Sequence, residues 1–269
     1  MTRIDRRALF TSGAAAALLA ATGVSLEAAP QSGGKLRLAV PRSDDGVLPA
    51  MQGAVFDTLT EVAPNGVLQA ELALSWQSDD AARVWDFVLR EGVRFHDGSL
   101  LNPEHVVAAL GDHYEIAQTG ASALRLTLDQ SDPHLPYRLA DPAASVARGG
   151  DIGTGLYRVE RHQPGRHFLG KRVAEHYKDG TAGWFDAVEI IAIPDPEVRA
   201  EALRDGFVDV AQLPSPQGLR AEGGLIFHPS ADDMALATHA DVGLPKVIGA
   251  QAPLDNGRIA ERWWMRAQS

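Results

Sequence analysis

The 269 residues are 45% hydrophobic and 22% charged, enough for one domain that buries about 70% of its unfolded surface, or for two small ones. Lys and Arg number 25 against 35 Asp and Glu, a net charge of −10 that gives no broad attraction to phosphate backbones or anionic lipid, so nucleic acid is not an expected partner. There is no cysteine, which excludes disulfides, thiolate metal sites, cysteine nucleophiles and lipid attachment through an N-terminal cysteine.

The chain opens with Arg3, Arg6 and Arg7, then an apolar run from Ala14 to Ala21, then small residues near Thr22-Gly23 and Ala28-Ala29. This is the pattern of a cleavable export signal over residues 1–29. Arg6 and Arg7, followed by Ala8-Leu9-Phe10, have the form of a twin-arginine signal, with an ordinary secretory signal as the alternative. The apolar run falls well short of the ~20 residues that span a bilayer, and no later stretch reaches that length. No membrane span is expected after signal removal.

Lys35 to Val40 alternates, with Leu36, Leu38 and Val40 on one face, and predicts the first strand. A polar loop, Pro41 to Gly46, follows, and Met51, Val55 and Leu59 then have helical spacing across 48–59. Pro64-Asn65-Gly66 predicts a turn. Leu72, Leu74 and Trp76 read as a second alternating segment, which makes Trp76 and Trp85 core candidates, an aromatic ligand platform being the alternative.

From Trp85 to Leu110 the pattern is clearest. Trp85, Phe87 and Leu89 alternate with Asp86, Val88 and Arg90, the signature of a strand with one buried face. Asp97-Gly98 supplies a turn. Asn102 can cap a helix, Pro103 suits its first position and Glu104 faces the positive end of its dipole, with Val106, Val107 and Leu110 inward.

Beyond Leu110, residues 111–120 read as a short connection to a strand containing Leu124, Leu126 and Leu128. Asp-Pro and Leu-Pro pairs then punctuate a loop and short helix up to Gly149-Gly150 and Gly153-Thr154-Gly155, whose glycines suit turns and close backbone packing. No Walker lysine follows them. Further strands are expected at 157–160, 167–171 and 188–193. A helix is expected at 197–205 with Val198, Ala202 and Leu203 inward, stopped by Gly206 and followed by a strand at 207–211. In the tail, 225–228 and 234–238 read as strands, and Trp263 and Trp264 as packed residues.

No spacing of enzyme chemistry emerges. His162 and His167 lie five apart across a Pro-Gly turn, His176 stands apart from them, and no HExxH or equivalent metal pattern occurs. His96-Asp97 sits in a turn, and no G-x-S-x-G elbow is present. The pairs Asp44-Asp45, Asp79-Asp80 and Asp232-Asp233 read as solvated turns. Neither a catalytic residue, a cofactor nor a metal site is expected, and the chain does not read as an enzyme.

Four segments in order, VFDTLTEVAPNGVLQAELALSWQ (55–77), LREGVRFHDGS with NPEHVV (89–107), GTGLYRVERHQPGRHFLGKRVAEHY (153–177) and ALRDGFVDVAQLP (202–214), resemble the periplasmic solute-binding proteins of oligopeptide, dipeptide and nickel ABC importers. The resemblance implies an α/β fold, a mixed-sheet periplasmic-binding-protein-like lobe occupying 35–269. The second lobe is expected to be largely absent, with 215–269 as a closing segment. It implies a soluble periplasmic protein that presents a small solute, possibly a peptide, to an inner-membrane ABC permease. By the same resemblance the loop after the first strand borders the ligand cleft, which makes Arg42, Asp44 and Asp45 candidate ligand-binding residues, a plain solvated loop being the alternative.

A single open lobe that leaves about 100 Å² of apolar ligand surface wet forfeits about 2.5 kcal/mol, roughly seventy-fold in affinity. A dimer, or a partner protein covering the missing-lobe face, would restore that cover. The competing expectation is a single-lobe protein-interaction module without its own ligand.

Overall fold

The computed structural model describes residues 30–42, 46–63, 65–215, 219, 223–229, 235–243 and 258–266. In chain order the elements are β1 (Pro30–Gln31), β2 (Lys35–Val40), α1 (Val47–Val55), β3 (Thr60–Val62), β4 (Leu68–Ala70), β5 (Ala73–Ser78), β6 (Val84–Leu89), α2 (Pro103–Leu110), β7 (Glu115–Gly120), β8 (Ala123–Thr127) and α3 (Leu135–Arg138). A 3₁₀ turn at Pro142–Ala144 leads to β9 (Tyr157–Gln163), β10 (His167–Arg172), β11 (Ala187–Ala192), α4 (Pro196–Arg204) and β12 (Val210–Leu213). The last elements are β13 (Leu225–Pro229), β14 (Ala235–His239), β15 (Val242–Gly243), α5 (Ile259–Arg262) and β16 (Trp264–Arg266).

The principal sheet has seven strands in the order β13-β14-β12-β2-β11-β10-β9. It is mixed, as expected: β2 runs parallel to both β11 and β12, and the outer pairs are antiparallel. Because strand side chains alternate between faces, Leu36, Leu38 and Val40 fall together into one core with Met51 and Val55 of α1, Phe168, Ile190, and Ile259 and Trp263 at α5. Ala39 points the other way and joins Ala211, Ala237 and Leu203 of α4 in a separate core. The sheet is thus covered on both faces.

A second, antiparallel sheet, β5-β6-β8-β7, buries Trp85, Phe87 and Leu89 against Leu124 and Leu126, with α2 supplying Val106 and Leu110. The Asn102 side chain accepts from His105 N–H while the His105 ring accepts from Asn102 N–H, and Pro103 takes the first helical position. Two smaller ribbons, β3-β4 and β1-β16-β15, complete the fold.

Several expectations are corrected. The helix expected over 48–59 ends at Val55, and Phe56 is extended, because Asp57 and Thr58 turn into a buried polar cluster and Leu59 belongs to the second core. Leu74 does not share a face with Leu72: a β-bulge between Ala73 and Ser75 turns Leu74 out to 48% exposure, and Trp76 is half-buried. The stretch read as a connection contains β7, a polar strand paired, among the described residues, only with β8; its mostly exposed side chains leave no apolar alternation to read. In α4 it is Arg199 that turns inward, while Val198 is 47% exposed. Phe207, expected to open the next strand, is 69% exposed, and β12 begins at Val210. Met234 lies outside the described residues, and β14 starts one position later.

Candidate functional site

In open α/β sheets ligands bind beyond the carboxyl ends of parallel strands, where connecting loops diverge. Here those ends belong to β2, β11 and β12. Ile193 N–H donates to Val40 O at 2.8 Å. From the far side of the sheet Arg199, nearly fully buried, donates to Gln212 O at 2.7 Å, Ile193 O at 2.5 Å and Pro194 O at 2.9 Å. One guanidinium therefore ties the ends of β11 and β12 to each other, and the loops leaving them start from a fixed platform. At the opposite end of the sheet Asp209 accepts from Arg37 N–H and from its guanidinium.

Arg42 lies two residues beyond the end of β2 and is exposed, without a hydrogen bond or ion pair among the described residues. Asp44 and Asp45 fall outside the described residues, as do Arg6 and Arg7. The loop that carries Arg42 leads into α1. The helix does not end in an apolar contact but in a buried charged cluster, about 13 Å farther along its axis.

That cluster was not visible in the sequence. Asp57 and Glu71 are fully buried, Glu261 nearly so, and Glu61 is part-buried; they surround Lys178 and Arg258, with Arg262 at the edge. Lys178 Nζ lies 2.7 Å from Glu71, 3.2 Å from Glu261 and 3.3 Å from Glu61. Arg258 makes a two-pronged contact with Glu71, at 2.6 and 3.0 Å, and a further one with Glu261 at 3.2 Å. Glu71 also accepts from the Thr58 N–H and hydroxyl at 3.1 and 2.6 Å. Thr154 donates to Asp57 at 2.9 Å.

Burial disfavours every charge in this cluster, and partners decide which survive. For Asp57 burial is outweighed by Lys178, His176 and Arg258, which hold its carboxyl well below the usual range. Glu61 is likewise lowered, to about 2, by Lys178, Arg258 and Arg262 acting against burial. At Glu71 burial wins over Arg258 and Lys178, and its carboxyl is pushed up to about 7. Burial would lower Lys178, but Glu261 and Glu71 hold it above its ordinary value. Four acids face three bases, so the proton the cluster takes up most readily goes to Glu71.

Oxygens of Asp57, Glu71 and Glu261 lie within 4.8 Å of one another, a donor set that would suit a cation. The space beside them is already taken by Lys178 Nζ and the Arg258 guanidinium, so the arrangement is an internal ion cluster rather than a metal centre. What it joins is clear: the end of α1, the β3-β4 ribbon, the loop after β10, and α5. Gly183 N–H donating to Glu261 O at 2.7 Å adds a backbone tie between the last two.

The histidines considered from sequence take structural partners. His96 is hydrogen-bonded through Nε2 to Gly155 O at 2.8 Å, and His176 Nε2 to Thr154 O at 2.9 Å. His167 pairs with Glu189 at 2.9 Å, and His162 stands 3.7 Å from Asp151. Asp97 is held by Ser99 and Arg148, and Asp79 closes a turn by accepting from Arg83 and Val84 N–H. Asp232 and Asp233 lie outside the described residues. Gly153 and Gly155 are required: a Cβ on either would come within 2.0 to 2.6 Å of the backbone at the end of α1.

Comparison with known proteins matches residues 67–225 to bacterial extracellular solute-binding proteins, family 5 (middle). Among curated proteins, the HTH-type transcriptional regulator SgrR of Salmonella choleraesuis (strain SC-B67) is 32% identical over 161 residues, 52% of this chain and 28% of that one. Among solved structures, the ABC transporter-associated periplasmic binding protein DppA from Helicobacter pylori, in complex with peptide STSA, superposes with a TM-score of 0.67 at 18% identity, covering 74% of this chain and 51% of that one. A nickel ABC transporter structure from Bacillus halodurans gives 0.63 at 24% identity, covering 72% and 46%. The chain spans about half the length of these solved structures and under a third of that regulator.

Proposed function

The chain belongs to the bacterial extracellular solute-binding proteins of family 5, and from that premise we propose that it is the solute-binding component of an ABC importer, taking a peptide or a related small solute. The observation that carries the reading is the platform at the carboxyl ends of β2, β11 and β12, fixed by Arg199 and bordered by Arg42. Arg42 anchors a carboxylate of the solute, Asp44 and Asp45 a terminal amine, and extended backbone pairing supplies the rest. The similar structures were solved with peptide STSA in one case and named as a nickel transporter in another, which sets the panel to try. Thermal unfolding against di- to pentapeptides and nickel with histidine should show one class raising Tm by several degrees, since ligand at a hundred times Kd adds about 2.7 kcal/mol. Arg42→Gln should remove that rise. A flat response across the panel would count against the reading.

Residues 1–29 act as an export signal of the twin-arginine type, and residues 35–269 form one lobe, with 215–269 closing it. Support for the closing role comes from α5, whose Ile259 and Ala260 lie in the principal core with α1, and from β16, which pairs with β1. The Arg6→Lys, Arg7→Lys double variant should remain in the cytoplasm as uncleaved precursor, read by fractionation and blotting; normal appearance of mature protein in the periplasm would defeat the twin-arginine assignment.

A second reading, a single-lobe interaction module whose open face docks a partner protein or a second copy, is favoured by the match to part of a transcriptional regulator, where the similar segment is one piece of a larger protein. In that case no solute would shift Tm.

A further inference from the structure

Arg158 and Lys171 stand directly opposite each other in the β9–β10 register, an arrangement in which like charges repel and weaken the pair. Both are exposed, and neither has a hydrogen-bonded or ionic side-chain partner among the described residues. Together with Arg94 they line a groove of about 420 Å³ that runs between β9–β10 and the turn at Phe95–Gly98. Arg94 spends one N–H on Gly98 O and has no acidic partner among the described residues. A fourth cation of the lining, Arg172, is taken up by Asp179 and by the Gly183 and Val173 carbonyls. Among the described residues the lining's one carboxylate is Glu175.

Exposed arginines without an acidic partner among the described residues occur elsewhere, Arg42, Arg161 and Arg166 among them, but here three cations converge on one groove. Arg37, Arg125, Arg138 and Arg148 each face an aspartate, as expected in a chain of net charge −10. At the wall of the groove His96 spends Nε2 on the Gly155 carbonyl, which leaves its buried Nδ1 without a partner among the described residues. Burial lowers the pKa of that ring, opposed by the Gly155 hydrogen bond and the Asp57 charge and aided by the smaller effects of His176 and Arg158. Three cations with no counter-charge of their own fit a dianion better than a carboxylate, which would leave two of them still in repulsion. Charge-assisted bonds to phosphate oxygens suit arginine forks in this setting.

We propose that this groove binds a phosphate group, free or carried on a small organic molecule, through Arg94, Arg158 and Lys171. It is separate from the strand-end platform and does not depend on the function proposed there.

Calorimetric titration of the full mature chain at low salt tests it, with inorganic phosphate, glycerol 3-phosphate and acetate as probes. Phosphate should bind at least tenfold more tightly than acetate, and Arg158→Gln or Lys171→Gln should each weaken it at least fivefold. Arg204→Gln, on an exposed helix end, should leave it unchanged. Both groove variants should fold, because each removes a repulsion, and their Tm without phosphate should equal or exceed that of the parent. Equal affinity for the two phosphates points to the free ion as ligand, and tenfold preference for glycerol 3-phosphate to a carried one. Absence of saturable phosphate binding, binding no tighter than that of acetate, or binding untouched by both groove variants overturns the proposal.

Discussion

Arg258→Met should lower the unfolding free energy by about 3–5 kcal/mol, the usual cost of removing one partner from a buried ionic cluster. The loss does not come from attraction alone. Arg258 neutralises Glu71 and Glu261 where water cannot reach, and without it four acids share Lys178 and Arg262. At 2–4 °C per kcal/mol for a domain of this size, Tm should fall by roughly 10 °C. Adding Glu71→Gln should recover part of the loss, because it spares the cluster both an unpaired buried carboxylate and the cost of protonating it, and the pair should therefore be non-additive by about 1 kcal/mol or more. Urea unfolding of the parent, both single variants and the double variant reads this directly. Strict additivity, or a loss under 1 kcal/mol for Arg258→Met, would mean that the cluster does not hold α5 to the ribbon and to the end of α1.

The second large effect belongs to Phe87. It is fully buried in the second core, its ring 6.4 Å from that of Trp85, between strands whose register is fixed on both sides. Phe87→Ala should cost about 3–5 kcal/mol through lost burial and the cavity left behind. The neighbouring Val88 is 45% exposed on the opposite face, and Val88→Thr should stay within about 0.5 kcal/mol. Chemical denaturation of the two variants gives the contrast. Comparable losses at both positions would contradict the one-sided burial of β6.

Phe87 also shows what was legible in the sequence. Strict alternation around Leu36, Leu38 and Val40, and around Trp85, Phe87 and Leu89, predicts strands, and the structure buries those residues, although β2 also buries Ala39 on its other face. The Asn102-Pro103 start of α2 is equally readable, since a cap and a proline at the first position are local chemistry. The mixed α/β class was implied by the resemblance of the four segments to periplasmic solute-binding proteins, not by the alternation itself.

What failed to show was long-range or ambiguous in period. Glu71 and Arg258 lie 187 positions apart, so no spacing rule could pair them; the available hint was an aspartate, Asp57, set within the apolar stretch Val55 to Leu59. In α4, Val198 looked like the inward residue because it is apolar, yet Arg199 turns in, since three carbonyls at the ends of β11 and β12 need donors. The bulge that turns Leu74 outward leaves no mark in composition. Of the candidate ligand residues, Arg42 lies two residues beyond the carboxyl end of β2, and Asp44 and Asp45 lie outside the described residues.

As a solute-binding protein this chain should carry its solute when it is taken out of the cell envelope. Native mass spectrometry of the mature protein, purified gently from the envelope of its own host, tests that most directly. The account predicts a discrete small-molecule mass on the folded protein that disappears on denaturation and is reduced in Arg42→Gln. An empty chain accompanied by a second protein, with no small molecule at any stage, would contradict it and favour the interaction module.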